Sequence, residues 1–288
     1  MPNCLKEADG EVSEAFSVSR YMRGLKLPFC AGCGLFSLSD VFLRAVHELG
    51  HEDLGAFVFT SGIGCASWIP SPYFMADSVH TLHGRSIPVA TSIKLVRPKL
   101  DVVVFGGDGD IVGIGLGHFI HAARRNADIL VIMGNNMVYG MTGGQVAPTT
   151  PARTITSTTP YGSFEHPLDA AKLAEAAGAA YSARWTTAHL AELKESIKQA
   201  LQLTGFRFIE VVTQCPTGYG RRAGFKDVAE MLKYYKENAV PVREADKMEP
   251  AELEGKIVVG EFARRKRPTL VEMVYGVIEE AKQDDSQD

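Results

Sequence analysis

No apolar run in this sequence approaches the roughly 18 residues needed to cross a bilayer, so a membrane-spanning helix is not expected. The opening stretch from Met1 to Phe16 is polar and acidic rather than basic and then apolar. It therefore lacks the pattern of an export signal, and a cytoplasmic protein is expected. Basic charge is not in excess, because 30 Lys and Arg stand against 34 Asp and Glu for a formal net charge of −4. Without a broad basic field the chain is poorly suited to a phosphate backbone, and nucleic acid is set aside as a partner. Internal repeats and low-complexity tracts are missing as well. Cysteine is scarce, with 5 in 288 residues. In a reducing cytosol so few are not expected to form structural disulfides, which leaves buried thiols, catalysis or metal binding.

What is present is an ordinary globular composition, 45% hydrophobic and 22% charged, in a chain long enough to bury a sizeable core. Residues 1 to 28 look irregular. Ser37, Ser39 and Asp40 offer N-caps for a helix through Val41, Phe42, Ala45, Val46 and Leu49, stopped at Gly50. Ala56 to Phe59, Asp101 to Phe105 and Ile129 to Met133 are short apolar runs that read as buried parallel strands, with a helix from Ile111 to Arg125 between the last two. Further on, residues 168–180 and 188–203 read as helices, and Tyr181 to Trp185 and Phe206 to Val212 as strands. The alternation predicts an α/β fold with a doubly wound, mostly parallel sheet whose ligands sit beyond the carboxyl ends of its strands. From Pro241 to Pro268 the composition turns charged and reads as an extended tail. Its basic knot, Arg264 to Arg267, is either a solvated surface or a docking site for another protein, and Thr269 to Glu272 fits a capping box opening a last helix to about Lys282. The expected division is an N-terminal extension over 1–20, a ligand-binding domain over 21–240, and a C-terminal tail and helix over 241–288.

The second of the predicted strands runs into Gly106-Gly107-Asp108-Gly109-Asp110. A strand that ends in a glycine turn and opens a helix leaves backbone N–H groups unpaired, which favours bound phosphate. Asp108 and Asp110 are anions, however, and a carboxylate tolerates a diphosphate only across a divalent cation such as Mg2+ or Ca2+. The next strand ends in Asn135-Asn136, and Asn136 follows Asp108 by 28 residues (136 minus 108). One helix and one strand fill that interval, so two hard oxygen ligands reach adjoining strand ends. Taken singly, Asp110 is a helix cap and the asparagines a turn; the spacing is what argues for a site. A G-x-x-x-x-G-K-[ST] loop does not fit, and the acidic residue within the turn disfavours a dinucleotide fingerprint. The pair resembles the thiamine diphosphate fingerprint, Gly-Asp-Gly followed by Asn-Asn. That resemblance implies Mg2+ ligands at Asp108, Asn136 and the carbonyl of Val138.

Cys30 and Cys33 have the two-residue gap that lets neighbouring thiolates face one metal, and Gly32 and Gly34 let backbone N–H groups approach sulfur. Cys65 and Cys215 each follow a predicted strand, at loop ends where the four could converge. Alone, the CxxC could be a thioredoxin-like dithiol, half of a zinc site, two idle thiols or part of an iron–sulfur centre, and spacing does not separate these. Cys4, in the polar N-terminal stretch, reads as a free thiol.

Phe29 to Gly34, Gly62 to Cys65, Leu82-His-Gly-Arg85, Gly107 to Asp110, Asn135 to Gln145 and Cys215-Pro-Thr217 occur in an order that resembles the β subunits of 2-oxoacid:ferredoxin oxidoreductases, most of all the 2-oxoglutarate type, from about residue 20 onward. The resemblance implies a [4Fe–4S] cluster on Cys30, Cys33, Cys65 and Cys215. It implies thiamine diphosphate contacts from Ile63, Gly64, Cys65 and Ala66, from His83, Gly84 and Arg85, from Gly109 and Asp110, and from Gly140 and Met141. His83 and Met141 are the candidates for a catalytic part. His83 could also be a satisfied loop histidine, and Arg85 a surface charge. Two departures stand out: broad-range relatives can carry Lys where this chain has Gly143, and pyruvate-specific ones Asn where it has Met141. Lys94 lies near in motif order and is given no role.

The implied reaction converts 2-oxoglutarate, coenzyme A and oxidised ferredoxin to succinyl-coenzyme A, CO2 and reduced ferredoxin. Pyruvate or broad-range 2-oxoacid enzymes, or a non-redox thiamine decarboxylase, are the alternatives within enzymes, and a zinc-stabilised scaffold subunit the alternative outside them. The acid that activates the cofactor's pyrimidine is expected on an α subunit, so the chain should act only in a heteromer, expected to be a dimer of heterodimers.

Overall fold

The computed structural model describes residues 15–285; Cys4 and the first 14 residues of the expected N-terminal extension lie outside the described residues. In chain order the elements are α1 (Gly34–Glu48), β1 (Phe57–Ser61), β2 (Asp77–His80), α2 (Ser86–Val96), β3 (Asp101–Gly107), α3 (Leu116–Arg124), β4 (Leu130–Asn135), β5 (Val138–Tyr139), β6 (Gln145–Val146), α4 (Ala170–Ala176), β7 (Tyr181–Thr186), α5 (Leu190–Gln202), β8 (Arg207–Val212), α6 (Val228–Glu237), β9 (Ala239–Pro241), α7 (Val242–Ala245), β10 (Ile257–Arg264) and α8 (Leu270–Asp285).

Among the described residues one eight-stranded sheet runs in the order β2-β1-β3-β4-β8-β7-β10-β9, and β5 and β6 pair as a small hairpin. Every pairing from β2 to β7 is parallel, and β10 alone joins its neighbour β7 antiparallel. β4 and β8 are buried at every position and β3 at all but its ends, as strands covered on both faces must be. On one face α1 and α5 set Leu38, Phe42, Leu193 and Ile197 against Phe59, Phe105 and Ile209. The Phe42 ring meets Phe105 edge-on at 5.1 Å, an arrangement in which aromatic pairs add to simple area burial. On the other face Ile87, Phe119 and Ala171 from α2, α3 and α4 close over Val104, Val131 and Phe208. The expected doubly wound fold is what forms.

Three expectations need correction. First, α1 starts at Gly34, ahead of Ser37, Ser39 and Asp40, and Cys33 is its N-cap. Gly34 N–H donates to the carbonyl of Gln214 at 3.0 Å, so the first helix is pinned to the residue next to Cys215. Second, the helix expected over 111–125 is broken. Gly109–Ile114 is a wider π-type turn with Gly113 outside helical angles, and α3 begins only at Leu116. Third, the segment read as an extended tail over 241–268 contributes α7 and β10, and β10 pairs with β7 with Val259 and Ala263 buried.

The basic knot folds back on the chain. Arg264 pairs with Glu261, Arg265 with Glu175, and Arg267 donates to the carbonyl of Gly178. The capping box forms as expected: Thr269 N–H donates to Glu272 Oε2 at 2.7 Å and Glu272 N–H to Thr269 Oγ1 at 3.1 Å. No helix among the described residues is long and apolar enough to cross a membrane.

Candidate active site

Parallel strands all present their carboxyl ends on one side, and the loops that leave β1, β3, β4 and β8 meet there. The loop after β1 carries Cys65, the turn after β3 carries Asp108 and Asp110, the loop after β4 carries Asn136, and the loop after β8 carries Cys215. Between them lies a cavity of about 180 Å³. It is lined by Ile63, Gly64, Cys65 and Ala66 from the loop after β1, His83 from the loop after β2, Asp108, Gly109 and Asp110 from the turn after β3, and Asn136, Val138, Gly140 and Met141 from the chain after β4. A larger open groove, about 870 Å³, lies between α5, α7 and β10 and contains none of the residues singled out in the sequence.

Asp108 is 2% exposed. Burial pushes its carboxyl up to about 7, against hydrogen bonds from Thr149 and Gly109 that favour the anion. The side-chain amide of Asn136 turns one end to Asp108 Oδ1 at 3.3 Å and to the carbonyl of Val138 at 2.6 Å. With nitrogen in that position it donates to both. With oxygen there, it accepts the Val138 N–H at 3.4 Å and faces two further acceptors, an arrangement a bound cation reconciles. The donor set, one carboxylate, one amide and one backbone carbonyl, is all hard oxygen, as Mg2+ requires. The residues fit the metal that the spacing implied.

Asp110 has a different task. Its Oδ1 accepts from Gly84 N–H at 2.7 Å and Ile63 N–H at 3.2 Å and lies 2.7 Å from His83 Nδ1. It thereby ties the loops after β1 and β2 to the turn after β3. Its Oδ2 is buried without a partner and packs where a Cβ on Gly62 or Gly106 would stand, which is why those positions lack one. Gly84 and Arg85 do not line the cavity: Gly84 serves Asp110 through its N–H, and the exposed Arg85 guanidinium donates to the carbonyl of Gly84 at 3.2 Å. Lys94 is also elsewhere, paired with Asp128 at 3.0 Å.

The thiols gather beside the same cavity. Burial pushes Cys33 up to about 12 and Cys65 up to about 11, and the other thiols lie near enough to raise each further. Burial raises Cys215 too, against N–H groups of Gly218, Tyr219 and Thr217 aimed at its sulfur; the Gly218 contact is 3.3 Å. Such thiolates are stabilised only by metal and by N–H donors of this kind. A Cβ at Gly140 would lie 3.7 Å from Cys215 Sγ, 3.8 Å from Cys65 Sγ and 3.0 Å from the Asn136 amide. One glycine thus separates the oxygen cradle from two of the sulfurs. Among the described residues no three His, Cys, Asp or Glu side chains close on a single ion; the thiols share a neighbourhood without forming a tight mononuclear site.

Behind Asp108 runs a buried chain of polar groups. Thr149 Oγ1 lies 2.5 Å from Asp108 Oδ2 and 2.9 Å from Asn135 Oδ1. Asn135 Nδ2 donates to Glu210 Oε1 at 2.7 Å, and Arg184 Nε donates to Glu210 Oε2 at 2.7 Å. Arg184 also pairs with Asp169. None of Thr149, Glu210 and Arg184 is signalled by a motif.

An Asp–Asn–carbonyl set of hard oxygens at the carboxyl ends of a doubly wound sheet fits a cofactor-binding domain of the thiamine diphosphate enzymes. Comparison with known proteins agrees: residues 62–211 match the thiamine pyrophosphate enzyme, C-terminal TPP-binding domain. The chain is 49% identical over 263 residues to the 2-oxoglutarate synthase subunit KorB of Methanothermobacter marburgensis, covering 91% of this chain and 92% of that one. It is 51% identical over 267 residues to the subunit of the same name from Methanocaldococcus jannaschii, covering 91% and 97%. A solved structure of 2-oxoglutarate:ferredoxin oxidoreductase from Magnetococcus marinus, with 2-oxoglutarate, coenzyme A and succinyl-CoA bound, superposes with a TM-score of 0.82 at 33% identity over 94% of this chain and 93% of that one. The chain belongs to the family of 2-oxoacid:ferredoxin oxidoreductase β subunits.

Proposed function

We propose that this protein is the thiamine diphosphate-binding β subunit of a cytoplasmic 2-oxoglutarate:ferredoxin oxidoreductase, which converts 2-oxoglutarate, coenzyme A and oxidised ferredoxin reversibly to succinyl-coenzyme A, CO2 and reduced ferredoxin. The observation that carries the reading is the convergence of Asp108, Asn136 and the Val138 carbonyl at a cavity that Cys65, one of the four gathered thiols, also lines. In this reading those three oxygens hold Mg2+ against the diphosphate, and Cys30, Cys33, Cys65 and Cys215 hold a [4Fe–4S] cluster. Bound there, thiamine diphosphate supplies a nucleophilic carbon for the keto group and a sink for the electrons released with CO2.

The chain's own residues orient and enclose. Asp110 fixes the loops of Ile63 and His83 around the diphosphate end and holds His83 by Nδ1, so Nε2 is the ring nitrogen left for the cavity. Ile63, 41% exposed, and Met141, 47% exposed, present apolar surface at the mouth, suited to excluding water once an α subunit closes over it. That α subunit supplies the carboxylic acid that activates the pyrimidine, and the assembly is a dimer of heterodimers. Gly84 and Arg85 support the site through backbone contacts rather than as its lining.

The test is an anaerobic assay of the co-expressed complex with coenzyme A, ferredoxin and one of 2-oxoglutarate, pyruvate or a branched 2-oxoacid. Preference for 2-oxoglutarate supports the reading, and preference for another acid moves it to the pyruvate or broad-range enzymes. A purified complex without iron and sulfide sinks electron transfer through this chain, and zinc in their place favours the scaffold.

A further inference from the structure

Cys30 is the exposed thiol among the four, while Cys33, Cys65 and Cys215 are partly buried. Three cations stand close to its loop or to that of Cys215 along the chain. A Cβ on Gly32 would touch Val228, so the Cys30–Cys33 loop lies against the start of α6, two residues from Lys226. Arg221 follows the turn that presents Cys215, and Lys26 precedes Cys30 in a stretch anchored by Tyr73 OH to the Lys26 carbonyl at 3.2 Å. Lys26, Arg221 and Lys226 are exposed and take part in none of the ion pairs among the described residues. Of the nearby acids, two are held by backbone N–H groups and one by a cation. Asp227 caps α6 through Glu230 N–H, Glu230 accepts from Lys226 N–H at 2.6 Å, and Asp40 pairs with Arg44 at 2.7 Å. Leu25, 51% exposed, and Phe36, 56% exposed, add apolar surface beside the cations.

We infer that this face, Lys26, Arg221 and Lys226 around Cys30 with Leu25 and Phe36 beside them, is where an acidic ferredoxin docks to take electrons. The inference rests on the proposed function, because it assumes a cluster on the four thiols. Three observations support it. The most exposed ligand offers the shortest path out of the protein; unpaired cations complement an acidic carrier; and a small mixed apolar and basic patch suits the brief contact of electron-transfer partners. The step served is one electron leaving the chain and arriving on the oxidised carrier, with no bond made. Charges of this kind chiefly govern association rate and its salt dependence, so they matter most at low ionic strength.

The test compares the intact complex with a triple variant, Lys26→Glu, Arg221→Glu and Lys226→Glu. Binding of a purified acidic ferredoxin is measured by calorimetry at several salt concentrations, and reduction of ferredoxin and of a small viologen dye is followed in parallel. The variant is expected to bind ferredoxin at low salt about tenfold more weakly or worse, with a flatter salt dependence, and to reduce the dye at the unaltered rate. Ferredoxin binding within twofold of the parent, with normal dye reduction, overturns the docking site and leaves the function standing. Dissociation of the α subunit also overturns it, by making this face the subunit interface. Parent complex that lacks iron and reduces neither acceptor points instead to failure of the functional reading.

Discussion

Replacing Thr149 with Val isolates the contribution of the group behind the cation cradle. The hydroxyl faces Asp108 Oδ2 at 2.5 Å and Asn135 Oδ1 at 2.9 Å, but the two losses are unequal. Asn135 Oδ1 keeps the N–H of Met137 at 2.9 Å, whereas Asp108 Oδ2 loses its one side-chain donor among the described residues. The cost is therefore that of one hydrogen bond to a buried carboxylate, about 1.5–3 kcal/mol. At 1.4 kcal/mol per decade this is roughly a 10- to 100-fold loss of affinity for Mg2+ and thiamine diphosphate together. Valine keeps the shape, so the fold should survive, and Thr149→Ser should restore most of the binding. Calorimetric titration of the assembled complex with the cofactor at fixed Mg2+ reads the effect, with iron content as the control that the thiol side is intact. Affinity within twofold of the parent would refute Thr149 as the support of Asp108, as would an equal loss in the serine variant.

Other expectations follow from the same geometry. Because burial pushes the Asp108 carboxyl up to about 7, a proton must leave before Mg2+ binds; apparent affinity should rise about tenfold per pH unit up to neutrality and then level off. Titrations at pH 6, 7 and 8 check this, and a flat or falling profile contradicts it. Cys215→Ser should lower iron content and abolish ferredoxin reduction while thiamine diphosphate binding stays within a fewfold, which metal analysis and calorimetry on one preparation can read. Arg184→Met leaves the buried Glu210 without its cation and should destabilise the protein by about 3–5 kcal/mol in chemical denaturation; a change below 1 kcal/mol would mean the pair is dispensable.

The strands through Val104, Ile132 and Ile209 were legible because a strand buried on both faces must be a nearly continuous apolar run. Asp108 and Asn136 were legible for a similar reason: the interval between them is filled by one helix and one strand, and parallel neighbours end side by side. Thr149 was not. It lies in a threonine-rich stretch with no periodicity, and reaches Asp108 only after β5 and β6 turn the chain back. Arg184 and Glu210 look like faults in apolar strands until β7 and β8 pair, when they become register partners. β10 escaped notice because its short apolar run, Ile257 to Val259, sits inside a charged stretch and its pairing with β7 is long-range. Asp110 was found by motif position, but the partners of its carboxylate, Ile63, His83 and Gly84, lie on loops that only the folded sheet brings together.

The claim on which all of this depends is that Asp108, Asn136 and the Val138 carbonyl are a cation's ligands. A crystal structure of the αβ complex reconstituted with thiamine diphosphate and Mn2+ in place of Mg2+, with anomalous data at the manganese edge, tests it most directly. The expected result is a single anomalous peak bonded to those three oxygens and to the diphosphate. Cofactor density with manganese elsewhere, or with the Asn136 amide still hydrogen-bonded to Asp108 across an empty cradle, would contradict it.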